Sequence, residues 1–428
     1  MNDVYGDLGW RGLIHQTTDD RFLSDWLRSG SRRLYAGFDP TASSLHVGHL
    51  LPLLTLRRFQ RAGHRPIALV GGATGMIGDP SGKSEERNLL SVEELQANIQ
   101  GMERQMRRFL DFDAGDHAAL LLNNADWMRD FSYLDFLRDV GKNFPVSGML
   151  AKDSVRGRLE RADGGMSYTE FSYMLLQAYD FVYLNQHFDC QLQIGGSDQW
   201  GNITAGIDLA RRMRGVPLYG LTCPLLTRSD GVKMGKTEQG ALWLDAERTS
   251  PYAFYQYWIN VADEDAGRCL RMLTEVEPEE IERLEGCCAE RPEKRESQRR
   301  LAQELTRLVH GPSGLTSAER ATAVFFGAAI EDLSDEQLIE IFADVPSHEL
   351  PAARLRHEGL PLPDALVAAG LAKSKGEARR IIQQGGAYVN NRRRTDQQTR
   401  LTDEDRASQT VIVLRSGKKR YALLRFTE

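Results

Sequence analysis

The chain has 428 residues, 41% hydrophobic, 27% charged and 8% aromatic. That balance excludes a disordered, collagen-like or coiled-coil description of the whole, and the length allows about three domains. Mean hydropathy is −0.43, and no apolar run approaches the ~18 residues of a membrane span. The start, MNDVYGDLGWRG, lacks a basic-then-apolar pattern, so a cytoplasmic protein without membrane contact is expected.

A net charge of −6 argues against a polyanionic partner, but the charge is unevenly spread. Residues 361–428 hold 14 Lys/Arg and 7 Asp/Glu, or +7, which leaves −13 on residues 1–360. A basic end on an acidic body suggests nucleic-acid contact there. The five cysteines have no metal-ligand spacing, so reduced thiols and no metal site are expected.

From Arg33 to Met213 short apolar runs alternate with amphipathic stretches. RLYAGF (33–38), PIALVGG (66–72) and CQLQIGG (190–196) read as strands, and 49–62, 91–110 and 168–185 as helices. This alternation predicts an α/β fold whose parallel sheet is covered on both faces and binds ligands beyond its strands' carboxyl ends. The first such junction carries Tyr35, Gly37, Asp39 and Thr41, then His46-Val-Gly48-His49. A helix opening at about His49 offers unpaired N–H groups to a phosphate, and Gly48 lacks the Cβ that would block one. Alone, this pattern is equally that of two histidines capping a helix.

Gly78-Asp-Pro-Ser-Gly82-Lys83-Ser84 has three residues between its glycines where a P-loop needs four, and 71–78 does not fit G-x-G-x-x-G. The segment still sets Asp79, Lys83 and Arg87 at a ligand edge. Ser167 and Glu170 read as a capping box opening a helix, along which Tyr173, Gln177 and Asp180 share one face. Three polar groups among apolar neighbours are costly unless they bind something or satisfy one another. QIGGSDQWGN (193–202) then gives a strand, a glycine pair with Gly196, and Asp198 and Gln199 at a helix start, where an Asp suits ribose hydroxyls.

Asp230-Gly-Val-Lys233-Met-Gly235-Lys236-Thr237 is a turn with two lysines that can follow charge developing on a leaving pyrophosphate. From about 250 to 325 only helical patterns follow. Acidic 331–350 and the Pro-bearing stretch after it read as a linker. The last module begins near Leu360, with Ser374 capping KGEARRIIQQ, a Gly-Gly stop, the strand AYVNN and a hairpin around Ser416-Gly417.

HVGH (46–49) followed about 190 residues later by KMGKT (233–237) resembles the HIGH and KMSKS motifs of class I aminoacyl-tRNA synthetases. With LYAGFDPTASSLHVGH, VGGATGMIGDPSGKS, TEFSYMLLQAYDF and LQIGGSDQWGNITAG, the chain from Trp10 to the final hairpin is similar to bacterial tyrosyl-tRNA synthetases. The resemblance implies a Rossmann-like catalytic domain over 1–225 with an insertion at about 120–190 as the interface of a homodimer, around 127–152. It further implies a loop-bearing α-helical domain at 226–325, a linker at 326–360 and an S4-like α+β RNA-binding domain at 361–428.

By the same resemblance, L-tyrosine is activated with ATP to tyrosyl-adenylate and then passed to the 3′-terminal ribose of tRNA(Tyr). Tyr35 and Asp180 are expected on the phenolic OH, Tyr173, Gln177 and Asp79 on the α-amino group, and Gln199 on the tyrosyl moiety. ATP is expected at Gly37, Asp39, His46, Gly48, His49, Gly196, Asp198 and Lys236. Thr41, His46, His49, Lys83, Arg87, Lys233, Lys236 and Thr237 are the expected catalytic groups. The tail cations Arg379, Arg380, Arg392, Arg393, Lys418 and Lys419 would meet RNA. No tightly bound cofactor is expected, and Mg2+ would arrive with ATP.

Two positions depart from the family pattern: Ala36 where many members have Cys, and Gly235 where the common motif has Ser. A tryptophanyl-tRNA synthetase is the nearest alternative, and Tyr35 opposite Asp180 favours a phenol over an indole. A nucleotidyltransferase with another acceptor and a non-catalytic RNA-binding protein are more distant readings.

Overall fold

The computed structural model describes residues 3–81, 90–160, 165–237, 240–328, 330, 333–342, 345–418 and 420–427. The chain divides into two compact units, 1–249 with 261–301, and 250–260 with 302–428. The stretch 226–325, expected as one helical domain, is therefore shared between them.

The first unit is built on six strands, β1 (Gln16–Thr17), β2 (Arg33–Phe38), β3 (Arg65–Val70), β4 (Leu120–Asn123), β5 (Cys190–Gly196) and β6 (Tyr219–Cys223). Their order is β1-β6-β5-β2-β3-β4, parallel throughout except for β1 against β6. The central strands are apolar almost without interruption: Leu34, Tyr35, Ala36, Ile67, Ala68, Leu69, Leu192 and Ile194 are all buried. Both faces of a parallel sheet are covered by its crossover helices, which is why these runs do not alternate. From β2 the chain leads to β3 on one side, while β5 returns on the other. A crevice opens at such a switch point, beyond the carboxyl ends of β2 and β5.

Helices flank that crevice. Helix Val47–Arg61 begins two residues earlier than the pattern indicated, because His46 serves as its N-cap. Helix Tyr168–Phe188 starts at Ser167, whose side chain accepts the Glu170 N–H at 3.2 Å. The expected capping box is only half formed. Glu170 instead pairs with Arg158 at 3.1 Å, both side chains buried, because a buried guanidinium left without a carboxylate costs more than an unmade cap. β4 and this helix, both inside 120–190, belong to the sheet and its cover.

In the second unit a five-stranded sheet runs in the order 392–394, 387–389, 411–416, 420–427, 347–351. Ser374 caps helix Lys375–Gln383, and Gly417 takes φ 68° in the hairpin turn. The stretch read as linker is structured instead. Asp335–Ile341 is a helix, and Ser347–Pro351 joins the sheet parallel to 420–427. Leu338, Ile341 and Phe342 pack with Val324 against Val411, Val413, Tyr421 and Leu423. No described helix is long and apolar enough to cross a membrane.

Candidate active site

A cavity of about 810 Å³ occupies the crevice. Of the residues expected at the site, Tyr35, Gly37, Asp39, Thr41, His46, Gly48, His49, Asp79, Tyr173, Gln177, Asp180, Gly196, Asp198, Gln199, Lys233 and Lys236 line it. Lys83, Arg87 and the Thr237 side chain lie outside the described residues, as does Lys419 in the tail. Among the described residues no group of His, Cys, Asp and Glu is arranged to hold a metal ion.

The inner part of the cavity is made by β2, β4 and helix Tyr168–Phe188. Tyr35 and Asp180 are both buried, and the hydroxyl of Tyr35 has no hydrogen-bond partner. Burial, then the neighbouring charge of Asp180, pushes the Tyr35 phenol well above its ordinary range. Asp180 is held by two donors: Trp127 Nε1 gives to Oδ1 at 2.9 Å and Asn124 Nδ2 to Oδ2 at 3.0 Å. Burial still pushes its carboxyl up to about 7, against the pull of those two hydrogen bonds. Tyr35 and Asp180 thus present a hydroxyl and a rigidly oriented carboxylate to whatever polar group ends in this recess.

Above them a network fixes the middle of the cavity. Tyr173 donates to Asp39 Oδ2 at 2.8 Å and Thr74 to Oδ1 at 2.7 Å. Gln177 donates to Gln199 at 3.1 Å, and Gln199 to Asp79 at 2.7 Å. Asn202 donates to Gln177 at 2.9 Å. Asp39, Asp79 and Asp180 make this zone electronegative, which suits an ammonium group. Gly71 lets these side chains close in, since a Cβ there would lie 2.1 Å from an Asp39 oxygen.

The outer part joins the two signature motifs. His46 Nδ1 accepts the Gly48 N–H at 3.1 Å, and His49 Nδ1 accepts the His46 N–H at 3.1 Å. Their rings stack with centroids 3.9 Å apart. The histidines therefore do cap the helix, and they do so while facing the cavity. Gly48 is required by His46 itself, whose Cε1 would lie 2.9 Å from an added Cβ. Residues 45–47 pair with 242–244: the Val47 N–H donates to Leu242 and the Leu244 N–H to Leu45. Gly235 sits at φ 80°, with Val47 only 3.2 Å from where a Cβ would be. That backbone explains Gly in place of the common Ser. Burial pushes the Asp198 carboxyl up, while nearby Lys233 pulls it down.

Asn124, Trp127, Thr74 and Asn202 were not singled out from the sequence. For Asn124 a signal existed: it follows the apolar LLL of β4 at a strand's carboxyl end, the position where ligands gather. In the tail, Arg379, Arg380, Arg392, Arg393 and Lys418 are exposed. Arg393 is partly committed, donating to the Gly385 carbonyl at 2.7 Å.

Residues 28–327 match the family of class I tRNA synthetases (W and Y), and 337–424 match the tyrosine–tRNA ligase SYY-like C-terminal domain. The tyrosine–tRNA ligase of Rhodopirellula baltica is 63% identical over 427 residues, covering 100% of this chain and 97% of its own. That of Roseiflexus castenholzii is 55% identical over 425 residues, covering 99% and 100%. A C-terminally truncated mitochondrial tyrosyl-tRNA synthetase of Aspergillus nidulans superposes with a TM-score of 0.68 at 31% identity, covering 75% of this chain and 94% of its own. A tryptophanyl-tRNA synthetase of Plasmodium falciparum, at 16% identity and a TM-score of 0.52, shares the fold. The chain belongs to the class I tRNA synthetases of the W and Y family, among the tyrosine–tRNA ligases.

Proposed function

We propose that this enzyme activates L-tyrosine with ATP and transfers it to the 3′-terminal ribose of tRNA(Tyr) in the cytoplasm. The observation that carries the reading is the inner recess, where the partnerless Tyr35 hydroxyl and the doubly anchored Asp180 carboxylate are buried near one another. A phenolic OH can donate to Asp180 and accept from Tyr35, whereas an indole N–H can only donate and a phenyl ring can do neither, so both leave the Tyr35 O–H buried without an acceptor. Full-length relatives named tyrosine–tRNA ligase support the same choice over tryptophan.

With the phenol in the recess, the α-ammonium meets Tyr173, Gln177 and Asp79, and the carboxylate points outward to the α-phosphate of ATP. ATP brings its own Mg2+. The carboxylate is already a nucleophile, so no covalent enzyme intermediate is needed. Its oxygen bonds to the α-phosphorus as the bond to the pyrophosphate oxygen breaks. Catalysis then consists of in-line placement and stabilisation of the charge moving onto pyrophosphate. Thr41, His46, His49, Lys233 and Lys236 are assigned to that charge, with Lys83, Arg87 and Thr237 joining them by resemblance. Gly37, Asp39, Gly48, Gly196 and Asp198 frame the nucleotide, and Gln199 bridges to the tyrosyl group. In the second step the terminal ribose hydroxyl attacks the acyl carbon and releases AMP.

The tail cations are assigned to tRNA. A homodimer through the region after β4 is supported by Tyr133, Leu134, Val146 and Leu150, large apolar side chains that stand exposed there. ATP–pyrophosphate exchange with each of the twenty amino acids tests the core of the reading. Tyrosine alone should drive rapid exchange, and equal exchange with tryptophan would overturn it.

A further inference from the structure

Helix Asp263–Leu273 contributes no side chain to the cavity wall, yet it holds the hairpin that does. The hairpin folds between Leu226 and Met234. The Met234 N–H donates to Leu226 and the Arg228 N–H to Val232, each at 2.8 Å, and Thr227 faces Lys233 as an antiparallel bridge. Two adjacent side chains of the helix grip its root. Arg268 donates to the Thr227 carbonyl and is itself held at 2.9 Å by Asp265, whose side chain is only 2% exposed. Cys269 Sγ lies 3.6 Å from the sulfur of Met234, the buried neighbour of Lys233.

The far end of that helix is tied to the HVGH helix. Arg58 donates to the carbonyls of Met272 at 3.2 Å and Thr274 at 2.6 Å. Arg11 donates to those of Arg271 and Thr274, both at 3.1 Å. Carbonyls orphaned at a helix end require such donors. The helix is thus a brace between the two motifs, fixed to one through Arg58 and to the other through Arg268.

A lysine ammonium stabilises a transition state only as well as its backbone is placed, because the long side chain must otherwise be ordered at the moment of reaction. We propose that Arg268 is a positioning residue for adenylate formation, fixing the Thr227 carbonyl and, through the Thr227–Lys233 pairing, the placement of Lys233 against the leaving pyrophosphate. This rests on the assignment of Lys233 to that charge. Arg268 does not line the cavity, so the effect of its removal on the rate should pass through the hairpin that carries Lys233.

The test is a double-mutant cycle on the full-length enzyme, reading pre-steady-state adenylate formation and tyrosine affinity. Arg268→Ala should slow adenylation about tenfold, the scale of coupling within one hydrogen-bonded network, with tyrosine affinity unchanged. In the Lys233→Ala background the same change should cost less than about twofold. Arg268→Lys, which keeps a donor and a charge for Asp265, should recover part of the rate. Since Arg268→Ala strands a buried carboxylate, Asp265→Asn/Arg268→Gln provides the same cycle without an unpaired charge. Full multiplicativity of the Arg268 and Lys233 effects, or a loss of tyrosine affinity with an unchanged rate, overturns the positioning role. A Lys233→Ala enzyme with the wild-type rate overturns the lysine assignment itself, and the proposal with it.

Discussion

Asp180 shows how a single side chain is made specific by what surrounds it. Its two oxygens are already aimed by Trp127 and Asn124, so its free lone pairs can point only into the recess. Asp180→Ala should therefore reduce exchange with tyrosine about 10- to 100-fold more than exchange with phenylalanine, the worth of a hydrogen bond to a charged partner. Equal losses for the two amino acids would place Asp180 away from the phenol. The same carboxyl makes stability depend on pH. Its folded value of about 7 lies above the ordinary 3.8, so the native state holds the proton between those values. Stability then falls as pH rises toward 7 and is flat above it. Asp180→Asn loses one of the two hydrogen bonds at every pH but carries no such slope. The stability of the wild type relative to this variant should drop by at most about 2 kcal/mol between pH 5.5 and pH 8. Thermal midpoints of both proteins at the two pH values give the answer, and a constant gap would contradict the assigned protonation.

At the level of elements, the region between β4 and helix Tyr168–Phe188 gathers several exposed apolar side chains. Leu134 is 75% exposed and Tyr133 and Val146 at least 60%, on short helices that bury little of their own surface. Leu134→Arg should leave the monomer's core intact while placing a charge in the proposed dimer interface, which costs several-fold to many-fold in association. Sedimentation velocity across a concentration series should show the mass shifting from dimer to monomer. An unchanged sedimentation coefficient at the lowest concentrations would move the interface elsewhere. The HVGH helix behaves differently. Its first turn is satisfied by its own histidines and its backbone neighbours 242–244, so motif and scaffold are one structure there.

At the scale of the molecule, the charge division suggests that adenylation and RNA capture are separable. All described groups of the proposed chemistry lie between Tyr35 and Lys236, and the basic segment is 361–428. Where the chain is cut matters, however. Ending it near Leu350 would remove Val411, Val413, Tyr421 and Leu423 from against Val324, Leu338 and Phe342, and leave Ser347–Pro351 without its partner strand. Ending it near 327 keeps residues 302–325 with residues 250–260, where Phe254 meets His310 and Gln256 donates to Thr322. The shorter protein should retain pyrophosphate exchange and lose efficient tRNA charging, while the one ending near 350 should aggregate. Charging by the full-length enzyme should weaken with salt, since each neutralised phosphate releases counterion. A protein ending near 327 that charges tRNA with unchanged efficiency and salt slope would show that the tail is not the RNA-binding part.

Much of this architecture is written locally. Strand and helix alternation, the Ser374 cap, the glycine turn at 417 and the tail's charge depend on neighbours within about one helical turn, and a linear reading recovers them. That Tyr173, Gln177 and Asp180 share a face was legible through helical spacing, whereas their roles, and those of the other motif residues, were implied only by the family resemblance. What could not be read were partnerships between distant segments. Asp180 and Asn124 are 56 residues apart, Gln199 and Asp79 are 120, and Tyr173 and Asp39 are 134. Ser347–Pro351 reads as linker because a half-exposed edge strand with one leucine among Ser, His, Glu and Pro has no apolar stripe, and it becomes a strand only by pairing with 420–427. Glu170 left its cap for Arg158 for a similar reason, a buried charge outweighing a local hydrogen bond. Periodicity and caps are inscribed in the order of residues, whereas which polar groups meet in the core is settled by packing and by the cost of leaving any of them buried alone.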